Sequence, residues 1–336
     1  MFNIRKKSNR KTLYIFDKIP LISFKIDGND KIISKKKIYD LFLNIACWFV
    51  PTKKARRKIR LLNGFVVKDF NYRRTAKPVE PYAYIRVYNE IKTIDACLSS
   101  ILPVIKKGVI GYNDCNDGSE EYILEFCKKN KGFIPYKYPY HILSPNDPKL
   151  FEKNCDEKHK LYYYCNEVLK QLPKNEWIIK IDCDHVFDKE KLENLMYLPT
   201  NNNDVVILPR LNLHYDNEKL YFIKNCPIIT SKDFWLIYNN NLEFKPMPCN
   251  KNTMLIEHLD VSSRNVIHSE ASNYHFPMIK KRRNSFSQDN LVEFNKFISE
   301  GLLDKYIKDK GLPVIIDERL IKNIASNENI KKIKVD

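Results

Sequence analysis

Apolar and polar positions are distributed unevenly along the chain. From Met1 to about Val79, short apolar segments alternate with basic runs such as Lys35-Lys36-Lys37 and Lys53-Lys54-Ala55-Arg56-Arg57-Lys58, with no strand-helix-strand rhythm, so this part reads as an appendage. From Pro81 the pattern changes. Tyr82-Ala83-Tyr84-Ile85-Arg86-Val87 predicts a strand, and Ile91 to Leu102 predicts a helix ending near Pro103. Val109-Ile110-Gly111-Tyr112 predicts a second strand, Ser119 to Lys129 a helix with Ser119 as N-cap, and Phe133-Ile134-Pro135-Tyr136 a third strand. Lys158 to Leu172 predicts a helix stopped by Pro173, and Trp177 to Ile181 a buried strand running into Asp182. After one more strand, Asp204 to Leu208, the pattern loosens into aromatic and Asn-rich stretches as far as Asn273-Tyr274-His275-Phe276-Pro277. Helix-like stretches near Leu291 to Ile307 and Asp317 to Ile333 close the chain.

Strands alternating with helices imply an α/β domain built on a mostly parallel sheet flanked by helices. Ligands of such sheets lie beyond the carboxyl ends of the strands, so the polar residues after Val87, Tyr112 and Ile181 are expected to converge on one cleft. The expected organisation is a basic, partly amphipathic appendage at 1–79, the α/β domain at 80–283 and a C-terminal helical segment at 284–336.

Composition adds limits. A chain of 336 residues that is 43% hydrophobic can bury a sizeable core and is not a disordered protein. With 58 Lys+Arg against 41 Asp+Glu, the formal charge of +17 favours polyanionic partners, although a Lys-rich and Asn-rich bias explains it equally well. The nine cysteines include no C-x-x-C pair, which fits free thiols in a reducing cytoplasm. The start, Met1-Phe2-Asn3-Ile4-Arg5-Lys6-Lys7, lacks the apolar run of a secretory signal. Leu41 to Val50 is the longest apolar stretch and about half the roughly 20 residues that span a bilayer. Followed by Lys53, Lys54, Arg56, Arg57, Lys58 and Arg60, it suits shallow contact with an anionic membrane surface; a helix packed on the α/β domain with a solvated basic end reads the same way.

The strongest chemical signal is Ile178-Ile179-Lys180-Ile181-Asp182-Cys183-Asp184, an apolar strand ending in two carboxylates one residue apart. Such a pair can grip a hard divalent cation that neutralises a leaving diphosphate, whereas a solvated turn with two Asp is the bland alternative. Arg86-Val87-Tyr88-Asn89-Glu90 follows the first strand and Asn113-Asp114-Cys115-Asn116-Asp117-Gly118-Ser119 the second. Asp114 has the chemistry to accept a hydrogen bond from a uracil imide, and Arg86 to meet phosphate or base edges. Asp-Gly-Ser alone reads equally as a turn and helix cap.

In this order and spacing, these motifs with Asn166 resemble the donor-site motifs of family 2 type glycosyltransferases with the GT-A fold. Tyr84 to Glu90, Ile110 to Glu121, Lys160-Leu161-Tyr162, Trp177 to Asp188 and Asn273 to Pro277 resemble, more narrowly, bacterial lipooligosaccharide β-1,4-N-acetylgalactosaminyltransferases, over roughly Pro81 to Arg283. The resemblance implies an inverting transfer from a UDP-sugar donor, UDP-N-acetylgalactosamine, with Mn²⁺ or Mg²⁺ as cofactor. It implies that Asp114 contacts uracil and that Arg86, Asn89, Glu90, Asp117, Lys160 and Asn166 line the nucleotide-sugar pocket. Asp182 would meet ribose or metal and Asp184 the metal, with His275 as a third ligand or diphosphate contact; packing of His275 in an aromatic cluster is the alternative.

One departure matters. Many family 2 enzymes present a Glu-Asp pair as general base, and no Glu-Asp dipeptide occurs here. Glu270, just before the His275 motif, is the first choice for the base, with Glu257 and Asp260 as alternatives. A Gln-x-x-Arg-Trp motif of processive synthases is also absent, so one sugar per encounter is expected. The acceptor expected is a lipid-linked oligosaccharide, reached from the cytoplasm by peripheral association with the inner membrane. The rivals are a transferase for UDP-galactose or UDP-N-acetylglucosamine in capsule or lipopolysaccharide synthesis, and a basic nucleic-acid-binding protein. Against nucleic acid, the basic residues are not interleaved with aromatics in a recognisable module, and the paired carboxylates would repel phosphate without a metal.

Overall fold

The computed structural model describes the backbone of residues 2–7, 10–15 and 19–25, and the chain from 77 to 334 apart from 217, 250–252, 280–287, 313, 315 and 325. The stretch from Leu41 to Arg60, expected to meet a lipid surface, lies outside the described residues, as does the expected boundary at 283/284. The chain divides into a unit of Met1–Phe65 and one of Val66–Asp336. In the first, β1 (Phe2–Lys7), β2 (Arg10–Ile15) and β3 (Ile19–Lys25) form an antiparallel meander. Phe2-Asn3-Ile4-Arg5 has the period-two alternation of a half-solvated strand, a signal hidden by the basic runs around it.

The second unit is built on a seven-stranded sheet of β4 (Tyr82–Val87), β5 (Gly108–Tyr112), β6 (Phe133–Lys137), β7 (Trp177–Asp182), β9 (Asp204–Ile207), β13 (Trp235–Tyr238) and β16 (Asn265–His268), in the order β16-β9-β13-β7-β4-β5-β6. Its neighbours run parallel except β13, which pairs antiparallel with both β7 and β9. Central strands are covered on both faces, which is why they read as continuous apolar runs: Ile85, Ile178, Ile179 and Ile181 are all 0% exposed. The sheet is flanked by α1 (Ile94–Ile101), α2 (Ser119–Lys129) and α3 (Leu161–Lys170). A Cβ on Gly111 would lie 2.3 Å from Val168, so its absence lets α3 press directly on β5. This is the mixed, mostly parallel α/β architecture that the strand-helix alternation implied, and it is GT-A-like as the resemblance implied.

The loosely patterned region is itself a sheet. After β7 the chain turns into β8 (His185–Phe187) and α4 (Lys189–Leu195), whose N-cap Asp188 accepts from the Lys191 amide at 3.0 Å. A six-stranded sheet then forms from β8, β10 (Arg210–Asp216), β11 (Lys219–Ile223), β12 (Ile228–Ile229), β17 (Asn273–His275) and β18 (Leu291–Glu293), in the order β18-β11-β10-β17-β8 with β12 also on β10. Buried polar residues at Arg210, Asn212, Asn273 and His275 break the apolar alternation and so hide these strands from periodicity. Leu291 begins β18 rather than a helix, and Gly301 at φ 65° separates α5 (Phe294–Ser299) from α6 (Leu302–Lys310). With α7 (Glu318–Asn323), these elements close a second core in which Phe294, Phe297, Leu320 and Ile324 pack with Phe222, Tyr274 and Phe276. A β14 (Phe244–Cys249) and β15 (Met254–Leu259) hairpin packs on α3.

Candidate active site

Strand register brings the motifs to one edge. Arg86 lies opposite Asp182 in the parallel β4/β7 pair, and Val87 opposite Tyr112 in β4/β5. The loops after β4, β5 and β7 therefore leave the sheet at the same carboxyl edge, with Asp114 two residues past Tyr112 and Asp184 two past Asp182.

At the β7 end, the chain reverses immediately after Asp182, so Asp184 sits in the turn and His185 opens β8. Across the antiparallel β8/β17 pair His185 faces His275. The ligand atoms of Asp184, His185 and His275 lie within 4.8 Å of one another, and all three residues are buried. His185 Nε2 is 3.6 Å from Asp184 Oδ1, and His275 Nε2 is 3.4 Å from Asp184 Oδ2. The hydrogen-bond network assigns the His275 tautomer. Asn212 Nδ2 donates to the Cys226 carbonyl at 2.7 Å, which leaves Asn212 Oδ1 to accept from His275 Nδ1–H at 2.7 Å. The Nε2 lone pair is then turned toward the Asp184 carboxylate, and two electron-rich atoms face each other unless a positive charge lies between them. The group fits a divalent cation: one carboxylate and two imidazoles buried together, with one imidazole oriented by an amide behind it.

The sequence-expected ligands Asp184 and His275 are thus brought together. Asp182 is half-buried on the sheet edge beside Arg86 and outside this group. His185 joins the group without having been singled out, although its place directly after Asp182-Cys183-Asp184 was the available signal.

At the other end, the loops after β4 and β5 are stitched to each other. Ser119 Oγ accepts from the Glu90 amide at 2.8 Å, Asp117 Oδ2 from the Ile91 amide at 3.0 Å, and Asn89 Oδ1 from the Asn116 amide at 2.9 Å. Asp117 Oδ1 also accepts from the Ser119 amide at 3.0 Å, so both of its oxygens hold backbone. Asn89 and Asp114 adopt left-handed backbone at φ 53° and 46°, a conformation that Asn and Asp tolerate best after Gly and that concentrates at ligand loops. Asp114 stands exposed at the tip with its Oδ2 2.6 Å from His141 Nδ1. Asn166 is turned away from these loops: its amide bonds both the Phe244 amide and the Phe244 carbonyl, fixing β14 to α3. Lys160, just ahead of α3, pairs with Glu157.

The three carboxylates proposed as base have different surroundings. Glu257 on β15 reaches Arg86 at 2.9 Å, with both side chains largely buried, and so stands at the cleft. Arg86 also donates to Cys165 Sγ at 2.7 Å; burial alone would lower its pKa, but Cys165 and Glu257 hold it well above the ordinary arginine value. Asp260 is exposed and accepts from the Ser262 amide. Glu270 is buried against Lys191 at 3.4 Å, and Lys191 also binds Asp317. Burial pushes the Glu270 carboxyl up, opposed by Lys191. Glu270 precedes Asn273, the end of β17 that faces Phe187, whereas His275 faces His185, and Glu270 is not one of the three residues of the metal group.

Two further charged residues stand near this group. Arg210 is 6% exposed, with its guanidinium 3.6 Å over the Phe234 ring, and that ring stacks with His185 at 4.5 Å. Asp233 accepts from Lys180 at 2.7 Å; burial would raise its pKa, but Lys180, Arg86 and Arg210 hold it below the usual carboxylate range. Nothing in the sequence separates Arg210 from the other basic residues.

The buried carboxylate-imidazole group lies at the carboxyl edge of the parallel strands, where open α/β sheets bind their ligands. A family model described as β-1,4-N-acetylgalactosaminyltransferase (CgtA) matches residues 62–329. The chain belongs to that family and is a glycosyltransferase, an enzyme that takes a nucleotide-sugar donor and an oligosaccharide acceptor. No curated protein matches it. Among the described residues no helix is long and apolar enough to cross a membrane.

Proposed function

We propose that this enzyme transfers N-acetylgalactosamine from UDP-N-acetylgalactosamine to a lipooligosaccharide or related surface glycan, with inversion at the anomeric carbon. The observation that carries the reading is the family match joined to the Asp184, His185 and His275 group at the carboxyl edge. When bound there, a divalent cation would offset the negative charge gathering on the leaving diphosphate. Two imidazoles beside one carboxylate favour Mn²⁺ over Mg²⁺, which prefers oxygen ligands.

Asp114, with its exposed carboxylate, reads the uracil, and Asp182 beside Arg86 takes the ribose. Asn89, Glu90 and Asp117 shape that pocket through the loop contacts, Lys160 acts from just ahead of α3, and Asn166 acts indirectly by fixing β14 to α3. The acceptor hydroxyl oxygen forms a bond to the anomeric carbon while the bond from that carbon to the diphosphate oxygen breaks. UDP leaves, and the hydroxyl proton passes to a carboxylate on the acceptor side. Glu257, which pairs with Arg86 at the sheet edge, is assigned this role ahead of Glu270 and Asp260. The acceptor is lipid-linked, and the basic segment before the α/β domain meets an anionic membrane surface on the cytoplasmic side.

The test is a panel of UDP-N-acetylgalactosamine, UDP-N-acetylglucosamine and UDP-galactose with Mn²⁺ and a lipooligosaccharide acceptor. Transfer from UDP-N-acetylgalactosamine at least about tenfold faster than from the others is expected, since a site that bonds a substrate's polar groups rejects analogues lacking them. Preference for another UDP-sugar would replace the donor, and binding of an oligonucleotide instead of UDP would replace the class.

A further inference from the structure

Many basic residues of this chain are exposed and paired with carboxylates, as Lys137 is with Glu120 and Lys170 with Glu167. Arg210 is different. It is 6% exposed, and among the described residues its Nε and Nη1 have no hydrogen-bond partner. A guanidinium stays charged under all ordinary conditions, and buried donors without acceptors are strongly disfavoured, so a ligand is the natural complement of this position.

The fold holds Arg210 in place. It lies on β10 between Asn273 of β17 and Ile229 of β12, two residues from the Asn212 that orients His275. One face of the guanidinium rests on Phe234, which leaves the N–H edge as the part able to bind. Phe234 also stacks on His185, so that edge is one ring removed from the metal group. Asp182, Asp184 and Asp233 lie within its electrostatic reach, yet none accepts from Nε or Nη1. A planar fork of donors beside a cation site is complementary to an oxyanion.

We propose that Arg210 binds the diphosphate of the nucleotide-sugar donor, engaging phosphate oxygens beside the metal and stabilising the charge that grows on them as the sugar departs. The proposal rests on the donor reading above. A residue that merely balances the neighbouring carboxylates would instead support the whole site without preference for phosphate.

Calorimetric titration of the full chain in Mn²⁺ with UDP, uridine and inorganic pyrophosphate separates the two. Arg210→Met is expected to weaken UDP and pyrophosphate by roughly 30-fold or more, as expected for loss of a charge-assisted bidentate contact, while uridine changes by less than about twofold. Arg210→Lys keeps the charge without the fork and is expected to weaken UDP by about fivefold; it carries the test if the Met variant does not fold. Mn²⁺ affinity without nucleotide should stay the same or rise, because a nearby positive charge is lost or displaced. Wild-type UDP affinity in the variants would overturn the proposal, and so would parallel loss of UDP, uridine and Mn²⁺. If wild type binds pyrophosphate through Arg210 but gains nothing from the uridine, the phosphate site stands and the nucleotide reading falls.

Discussion

The two ends of the cleft are built on different principles. After β4 and β5, side chains satisfy backbone: Asn89, Asp117 and Ser119 lock two loops into one surface before any ligand arrives. After β7, side chains face one another, with a carboxylate beside two imidazoles and a guanidinium lying over Phe234. The end proposed for the nucleotide is thus preformed by local hydrogen bonds, and the end proposed for the reaction is a buried, charged group that a cation and an anion would complete. Preorganised charge in a water-excluded pocket is where electrostatic catalysis is strongest.

The contrast predicts how each end breaks. The largest effect is expected from Asp184→Asn, which keeps shape but removes the charge between the imidazoles. Mn²⁺ affinity should fall by more than roughly 100-fold, beyond the usual effect of losing an outer partner, while uridine binding is unchanged. Mn²⁺ electron paramagnetic resonance reads the first and calorimetry the second; equal loss of both would mean that the ends are not separate.

Next is Lys191→Met. It strands the buried Glu270, while Asp317 keeps its pair with Arg319, and loss of one partner of a buried pair destabilises by about 3–5 kcal/mol. Denaturant unfolding should show that loss, and an unchanged midpoint would show that the cluster contributes nothing. The same cluster sets a pH dependence. Burial would raise the Asp317 pKa, but hydrogen bonds from Arg319 and Lys191 hold it well below the carboxylate range. A depressed folded-state pKa gives stability that is present above the unfolded value of roughly 4 and is lost as pH falls below it. Asp317→Asn should flatten the acid limb of the stability profile without moving the neutral one further as pH rises from 6 to 8.

Asn212→Leu should reduce Mn²⁺ affinity by about 10- to 100-fold, the usual effect of freeing a ligating imidazole from its orienting partner. Asp117→Ala is expected to act at the opposite end. It removes acceptors from two loop amides, should lower stability by about 1–3 kcal/mol, and should weaken uridine while sparing Mn²⁺. If Asn212→Leu altered uridine and left the metal alone, the assigned His275 tautomer would be wrong.

The same contrast explains what could be read in the sequence. Strands β4, β5 and β7 are largely buried on both faces and bounded by sharp turn residues, so their order, the parallel sheet and the motifs at its edge were legible. Residues 209–276 were not, because Arg210, Asn212 and His275 place polar atoms where a core strand carries apolar ones, and the periodicity that reveals strands disappears. His185 was legible by adjacency to Asp184, and Arg210 only from the fold, since parallel pairing with β17 places it near the group. Glu270 is close to His275 along the chain but lies past the opposite end of β17, a separation that sequence distance does not convey. Glu257 is far from Arg86 along the chain and reaches it through the β14/β15 hairpin.

The most direct test of the account is turnover of UDP-N-acetylgalactosamine by enzyme stripped with chelator and then titrated with Mn²⁺, for wild type and for His185→Ala and His275→Ala. The account predicts no turnover after chelation, recovery with Mn²⁺ in wild type, and a Mn²⁺ requirement raised by at least about tenfold in either variant, as loss of metal-site contacts does elsewhere. Full turnover in excess chelator, or a wild-type Mn²⁺ requirement in both histidine variants, would contradict it.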